Sequence, residues 1–95
     1  MAKHEVCVWV AGTLSEAAAS LEEVAAGGRP NPQSELALDV ERECQQRNGV
    51  SGGIGEYSFP TMSDAKSFMK RVRQMLPTDR ITYGDCSAAE TQLWP

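Results

Sequence analysis

The strongest periodicity in the chain runs over residues 63–76. Apolar side chains stand at Ala65, Phe68, Met69, Val72, Met75 and Leu76, a spacing that puts them on one face of a 3.6-residue helix. Lys66, Lys70, Arg71 and Arg73 fall on the opposite face. Thr61 or Ser63 offers a cap, and Pro77 stops the helix because it lacks the amide to continue. Residues 54–59 alternate before it, with Ile54, Glu56 and Ser58 against Tyr57 and Phe59. Arg80-Ile81-Thr82-Tyr83 follows as a second strand, so the unit reads strand–helix–strand.

The N-terminal half has a parallel order. Residues 4–10 are rich in β-branched and aromatic types, with Val6, Val8 and Val10 on one face and Cys7 and Trp9 on the other. Apolar residues on both faces point to a central strand. Gly12 breaks it. Thr13 and Glu16 have capping-box spacing, which predicts a helix carrying Leu14, Ala17, Ala18, Leu21, Val24 and Ala25 on one side and ending at Gly27-Gly28. The prolines at 30 and 32 predict a loop over 29–33. Ser34 is a candidate cap for a second helix over 35–47, with Leu36, Val40 and Cys44 recurring every fourth residue and Asn48-Gly49 as its left-handed end. A short strand at Leu36–Val40 is the rival reading, because that segment also alternates. Residues 51–55 read as a flexible link or hairpin lead-in. Their glycines lack both dinucleotide-loop and phosphate-loop spacing.

The order is β-α-α-β-α-β, or βαββαβ if a short strand lies within 29–40. The expected fold is α+β, a small ferredoxin-like or related β-α-(α/β)-β-α-β sandwich. It has a three- to four-stranded sheet with helices on one face. A single domain spans 1–95, with 87–95 as a possible flexible tail on which Leu93-Trp94 docks or frays. Folds of this type host many unrelated activities, so the architecture does not name one.

Composition narrows the classes. A chain of 95 residues with 41% hydrophobic and 23% charged content supports one modest core with little room for a deep cavity. No run approaches a membrane span and no secretory leader is evident, so a cytoplasmic protein is expected. The three cysteines, Cys7, Cys44 and Cys86, lack CxxC spacing and are odd in number. They are expected to be free thiols in a reducing compartment.

Catalytic chemistry finds no foothold. His4, the single histidine, leaves its strand on the face opposite Cys7. No nucleophile, base and orienter assemble around it. Asp39 and Glu43 are an i, i+4 carboxylate pair, but no histidine or oxygen-rich loop accompanies them, so no metal is implied. No cofactor is implied either.

Charge distribution changes the picture most. Residues 13–47 carry net −4 and residues 62–80 net +3, within a chain of net −4. Acids Glu35, Asp39, Glu41 and Glu43 are candidate partner-binding residues. Lys66, Lys70, Arg71, Arg73 and Arg80 are the alternative, as phosphate contacts. A pI of about 4.9 and the lack of an aromatic ribonucleoprotein motif weigh against general nucleic-acid binding. The leading expectation is a non-enzymatic inhibitor or accessory factor docking on a larger protein or nucleoprotein complex. A phage or mobile-element protein such as an anti-CRISPR is one form, its acids competing for a groove lined by lysine and arginine. The alternatives are a small RNA- or DNA-binding module and a dimeric small-molecule regulatory domain.

Overall fold

The computed structural model describes residues 5–16, 27, 32–53, 55–87 and 91–94. Five strands form one antiparallel sheet: β1 (Val6–Ala11), β2 (Val50–Gly53), β3 (Glu56–Phe59), β4 (Arg80–Asp85) and β5 (Gln92–Leu93), in the order β2-β3-β1-β4-β5. β1 is central, as its two apolar faces predict, and pairs with β3 and β4. The expected three or four strands become five. The extra strand sits at 50–53, not within 29–40, and the C-terminal segment pairs with β4 through Thr82↔Leu93 and Tyr83↔Gln92.

Among the described residues, helix occurs in three places. A first helix, α1, is described over 13–16; α2 spans Pro32–Gln45 and α3 spans Met62–Met75. The rival strand at Leu36–Val40 is excluded by α2. That helix starts three residues earlier than expected, because proline at the first helical position loses no needed hydrogen bond. Its end fits the expectation: Asn48 is left-handed (φ 61°) and the Gly49 amide bonds the Cys44 carbonyl at 2.9 Å. A Cβ at position 49 would lie 2.4 Å from the Cys44 sulfur and 2.5 Å from the Phe59 ring. Only glycine fits there. The readings on His4, Ala17, Ala18, Leu21, Val24, Ala25, Gly28, Ile54 and residues 29–31 of the expected loop lie outside the described residues; Pro32 and Gln33, expected in that loop, and Ser34, the expected cap, instead fall inside α2.

α3 carries the core. Thr61 caps it, its hydroxyl accepting from the Asp64 amide at 3.2 Å. Ala65, Phe68, Met69 and Val72 are fully buried on its inner face. The Phe68 ring sits 4.9 Å from both Tyr57 and Phe59 on β3, in tilted contact. Val8 and Val10 of β1, Ile81 of β4, Leu14 of α1 and Val40 and Cys44 of α2 complete one cluster. All the described helices therefore pack on the sheet face that carries Val8 and Val10.

The capping box shifts by one residue. Gly12, not Thr13, precedes the helix: Ser15 and Glu16 amides bond its carbonyl, and the Ser15 hydroxyl accepts from its amide at 3.3 Å. The cap itself comes from the far end of the chain. Asp79, 3% exposed, accepts from the Thr13 amide at 2.8 Å and the Leu14 amide at 3.0 Å. A carboxylate at a helix start is favoured by the unpaired amides and the helix dipole. Gly12 (φ 132°) permits the approach, since a Cβ there would meet the Asp79 carboxylate at 2.8 Å.

The cysteine expectation is overturned. Cys7 and Cys86 form a disulfide, with Cα atoms 5.1 Å apart, and Cys44 is the free, buried thiol. The odd count concealed one pair and one core residue. The pairing follows from topology: Cys7 lies beside Gly84 in the β1–β4 ladder, and the Cys86 amide bonds the Glu5 carbonyl at 3.0 Å. The cytoplasmic expectation loses the support it drew from free thiols, since such bridges persist mainly in oxidising surroundings.

Candidate functional site

The acid-rich α2 divides into an outer stripe and two inner flanks. Glu35, Leu38, Asp39, Arg42 and Gln45 are exposed, while Leu36, Glu41 and Glu43 are half-buried. Leu38 is an apolar side chain at 40% exposure among these charged neighbours. Asp39 pairs with Arg42 at 2.8 Å, an exposed contact of small energetic weight.

Glu43 serves a different purpose. Its carboxylate takes Arg47 at 2.9 Å and Arg71 of α3 at 3.2 Å, so it ties the two helices together. Burial pushes the Glu43 carboxyl up. Hydrogen bonds and charge from Arg71 and Arg47 outweigh that and hold it below its ordinary range. The two i, i+4 carboxylates are thus neutralised inside the molecule, Asp39 by Arg42 and Glu43 by Arg47 and Arg71 together.

The base-rich face is dispersed in the same way. Lys66 and Lys70 are exposed on α3. Arg71 also reaches Gln74 at 3.3 Å. Arg73 folds back onto the chain, donating to the carbonyls of Pro77 (3.1 Å), Asp79 (2.7 Å) and Trp94 (3.2 Å). It thereby holds the turn that positions Asp79 and anchors the C-terminal segment. Trp94 adds a hydrogen bond to the Ile81 carbonyl and an edge-on contact with Tyr83. Arg80 stands opposite Ala11 in the sheet, away from Lys66 and Lys70 on the helix.

Burial keeps Cys44 and Tyr57 in their neutral forms. Burial, with a smaller contribution from Glu41, raises the Cys44 thiol to about 11, so it is a poor nucleophile near neutrality. Burial raises Tyr57 to about 12, against a hydrogen bond from the Gly55 amide and with small additions from Cys44 and Glu41. Among the described residues, no three metal-binding side chains gather and no helix is long and apolar enough to cross a membrane.

Two features escaped the sequence. Asp79 acts 65 residues from its partner Leu14, and nothing local in Pro77-Thr78-Asp79 signals that. The second is the sheet face carrying Trp9, Val50 and Leu93, on which none of the described helices packs. The two-sided alternation of β1 predicts its central place in the sheet, and only the neighbouring strands show that its Cys7/Trp9 side is left open by the described helices. Compared with protein-family models, curated proteins and solved structures, the chain matches none of them.

Proposed function

We propose that this chain is a non-enzymatic protein-binding factor, an inhibitor or accessory domain that docks on a basic surface of a larger partner through the outer stripe of α2. The observation that carries the reading is Leu38, 40% exposed and bracketed by Glu35 and Asp39 on the same stripe. An apolar anchor inside a charged rim is the arrangement that docking surfaces use. With Glu43 committed to Arg47 and Arg71, the acids that face a partner reduce to Glu35 and Asp39, with Glu41 on the flank. Their charge steers approach to lysine- and arginine-lined surfaces, including grooves that hold nucleic acid. An anti-CRISPR mode of action is one form of this reading.

A ferredoxin-like assignment of the architecture is supported by the strand order. β3 lies one strand away from each of β1 and β2, and β1 is inserted between β3 and β4. Strands joined through helices are thus separated by one inserted strand, the split β-α-β pattern. β5 is an addition to it.

The test is affinity capture with the parent chain, Glu35→Lys/Asp39→Lys, Leu38→Ala and a Lys70→Glu control. The reading expects a basic partner that added salt releases, lost about tenfold or more with the first two variants and retained with the control. Equal recovery by all four chains contradicts it.

A further inference from the structure

We propose that the sheet face opposite the described helices is a self-association surface, closed by a second copy of this chain. The register fixes what the face displays. One row holds Val50, Ser58, Cys7 and Gly84; the next holds Glu56, Trp9, Thr82 and Leu93; the third holds Ala11 and Arg80. These residues alternate with the core positions Val8, Val10, Tyr57, Phe59 and Ile81, so they point away from the described helices. The apolar members are large and open: Val50 is 65% exposed and Leu93 is 62% exposed, with half-buried Trp9 between them.

The order across the strands selects the occupant. From β2 to β5 the face reads valine, glutamate, tryptophan, then threonine and arginine, then leucine. A two-fold axis near β1 exchanges β2 with β5 and β3 with β4. Tilted from the β1 direction, so that facing strands cross as they do in a sandwich, it sets Trp9 against the partner's Trp9 and brings Val50 to the partner's Leu93 and Glu56 to the partner's Arg80, each one row along. Isologous pairing requires such self-complementarity, because every contact occurs twice. An unrelated partner would not require acid and base at exchanged positions around a central aromatic. The two sheets then pack face to face, as in a sandwich. Glu5, whose carbonyl accepts from the Cys86 amide, and the Cys7–Cys86 bridge lie at the end of the face, where the bridge fixes β1 to the segment that follows β4.

Five strands about 4.8 Å apart make a small face. The expected association is accordingly weak, with a dissociation constant on the order of micromolar or above. The α2 stripe lies on a different side of the molecule, so this surface and the docking surface fail or stand independently.

The test is sedimentation velocity over a concentration series with the parent chain, Glu56→Arg, Arg80→Glu and the double exchange. Circular dichroism confirms that each is folded; both side chains are exposed, so the fold is expected to survive. The parent should move from a 10.3 kDa species toward twice that mass as concentration rises. Each single reversal should weaken association about tenfold or more, and the double exchange should return it to within about threefold of the parent. A parent that stays monomeric throughout, or a double exchange no better than the singles, overturns the proposal. Hydroxyl-radical footprinting of the parent gives a second readout. Val50 and Leu93 should become protected at high concentration while Leu38 does not. Protection of Leu38 instead would place self-association elsewhere and overturn the assignment.

Discussion

β1 carries apolar side chains on both faces, and the molecule treats the two faces differently. On one, Val8 and Val10 meet Tyr57 and Ile81 across the ladders and are sealed by α2 and α3. On the other, the neighbours of Trp9 are Glu56 and Thr82. Apolar alternation in one strand therefore does not establish that both faces are covered. The adjacent strands decide, because a covered face is apolar in every strand that lines it. The helices repeat the lesson. α2 and α3 look like opposite charged patches in sequence, yet Glu43 and Arg71 join across them.

The largest effect is expected on the open face, from the bridge. Cys7 and Cys86 are separated by 79 positions, and a cross-link of that span constrains the unfolded chain by about 4–5 kcal/mol in the loop-entropy account. The Cys7→Ser/Cys86→Ser chain should lose stability on that scale in denaturant melts. A loss below about 1 kcal/mol would mean that the bridge does not staple the native sheet.

On the covered face, Phe68→Ala should cost about 3–5 kcal/mol, since the ring is fully buried against Tyr57 and Phe59. An unchanged denaturation midpoint would place the helix face elsewhere.

Alkaline pH sharpens the same contrast. Burial raises Cys44 from 9.0 to about 11 and Tyr57 from 10.0 to about 12. Both are acids whose neutral form the fold favours. Their contribution is complete below the unfolded values near 9 and 10, and is lost as pH rises toward the folded ones. The loss is on the order of 2–3 kcal/mol per group. Stability should be level from pH 7 to about 8.5 and fall above about 9. Cys44→Val should remove the first part of that fall; an identical pH profile would contradict the assignment.

The smallest effect concerns the helix start. Asp79→Ala should cost about 1–2 kcal/mol, and Thr13→Ala a few tenths, because the carboxylate of Asp79 takes the amides of Thr13 and Leu14. A reversed ranking in thermal melts would restore Thr13 as the cap.

What was legible follows from range. α3, its Thr61 cap, the centrality of β1 and the left-handed Asn48 rest on neighbours within a few residues, and local pattern reports those. β2 and β5 were missed for a different reason. β2 is glycine-rich and four residues long, and β5 has two residues; neither has enough alternation to register. The Asp79 cap, the Arg73 anchor and the Cys7–Cys86 bridge join distant segments. For the charged candidates, sequence identified the outward residues Glu35, Asp39, Lys66 and Lys70. It could not separate them from Glu43, Arg71 and Arg73, whose partners come from tertiary contact.

One comparison tests the two-faced sheet most directly: Val8→Lys against Trp9→Lys, adjacent positions on one strand, measured by denaturant midpoint at dilute concentration. Val8 is fully buried and Trp9 only half-buried. The account predicts that lysine at 8 unfolds the protein or costs more than about 4 kcal/mol, while lysine at 9 leaves a cooperative fold and costs less than about 2 kcal/mol. Equal losses at the two positions, or a larger loss at 9, would show that the Trp9 face is as deeply covered as the Val8 face and would contradict the account.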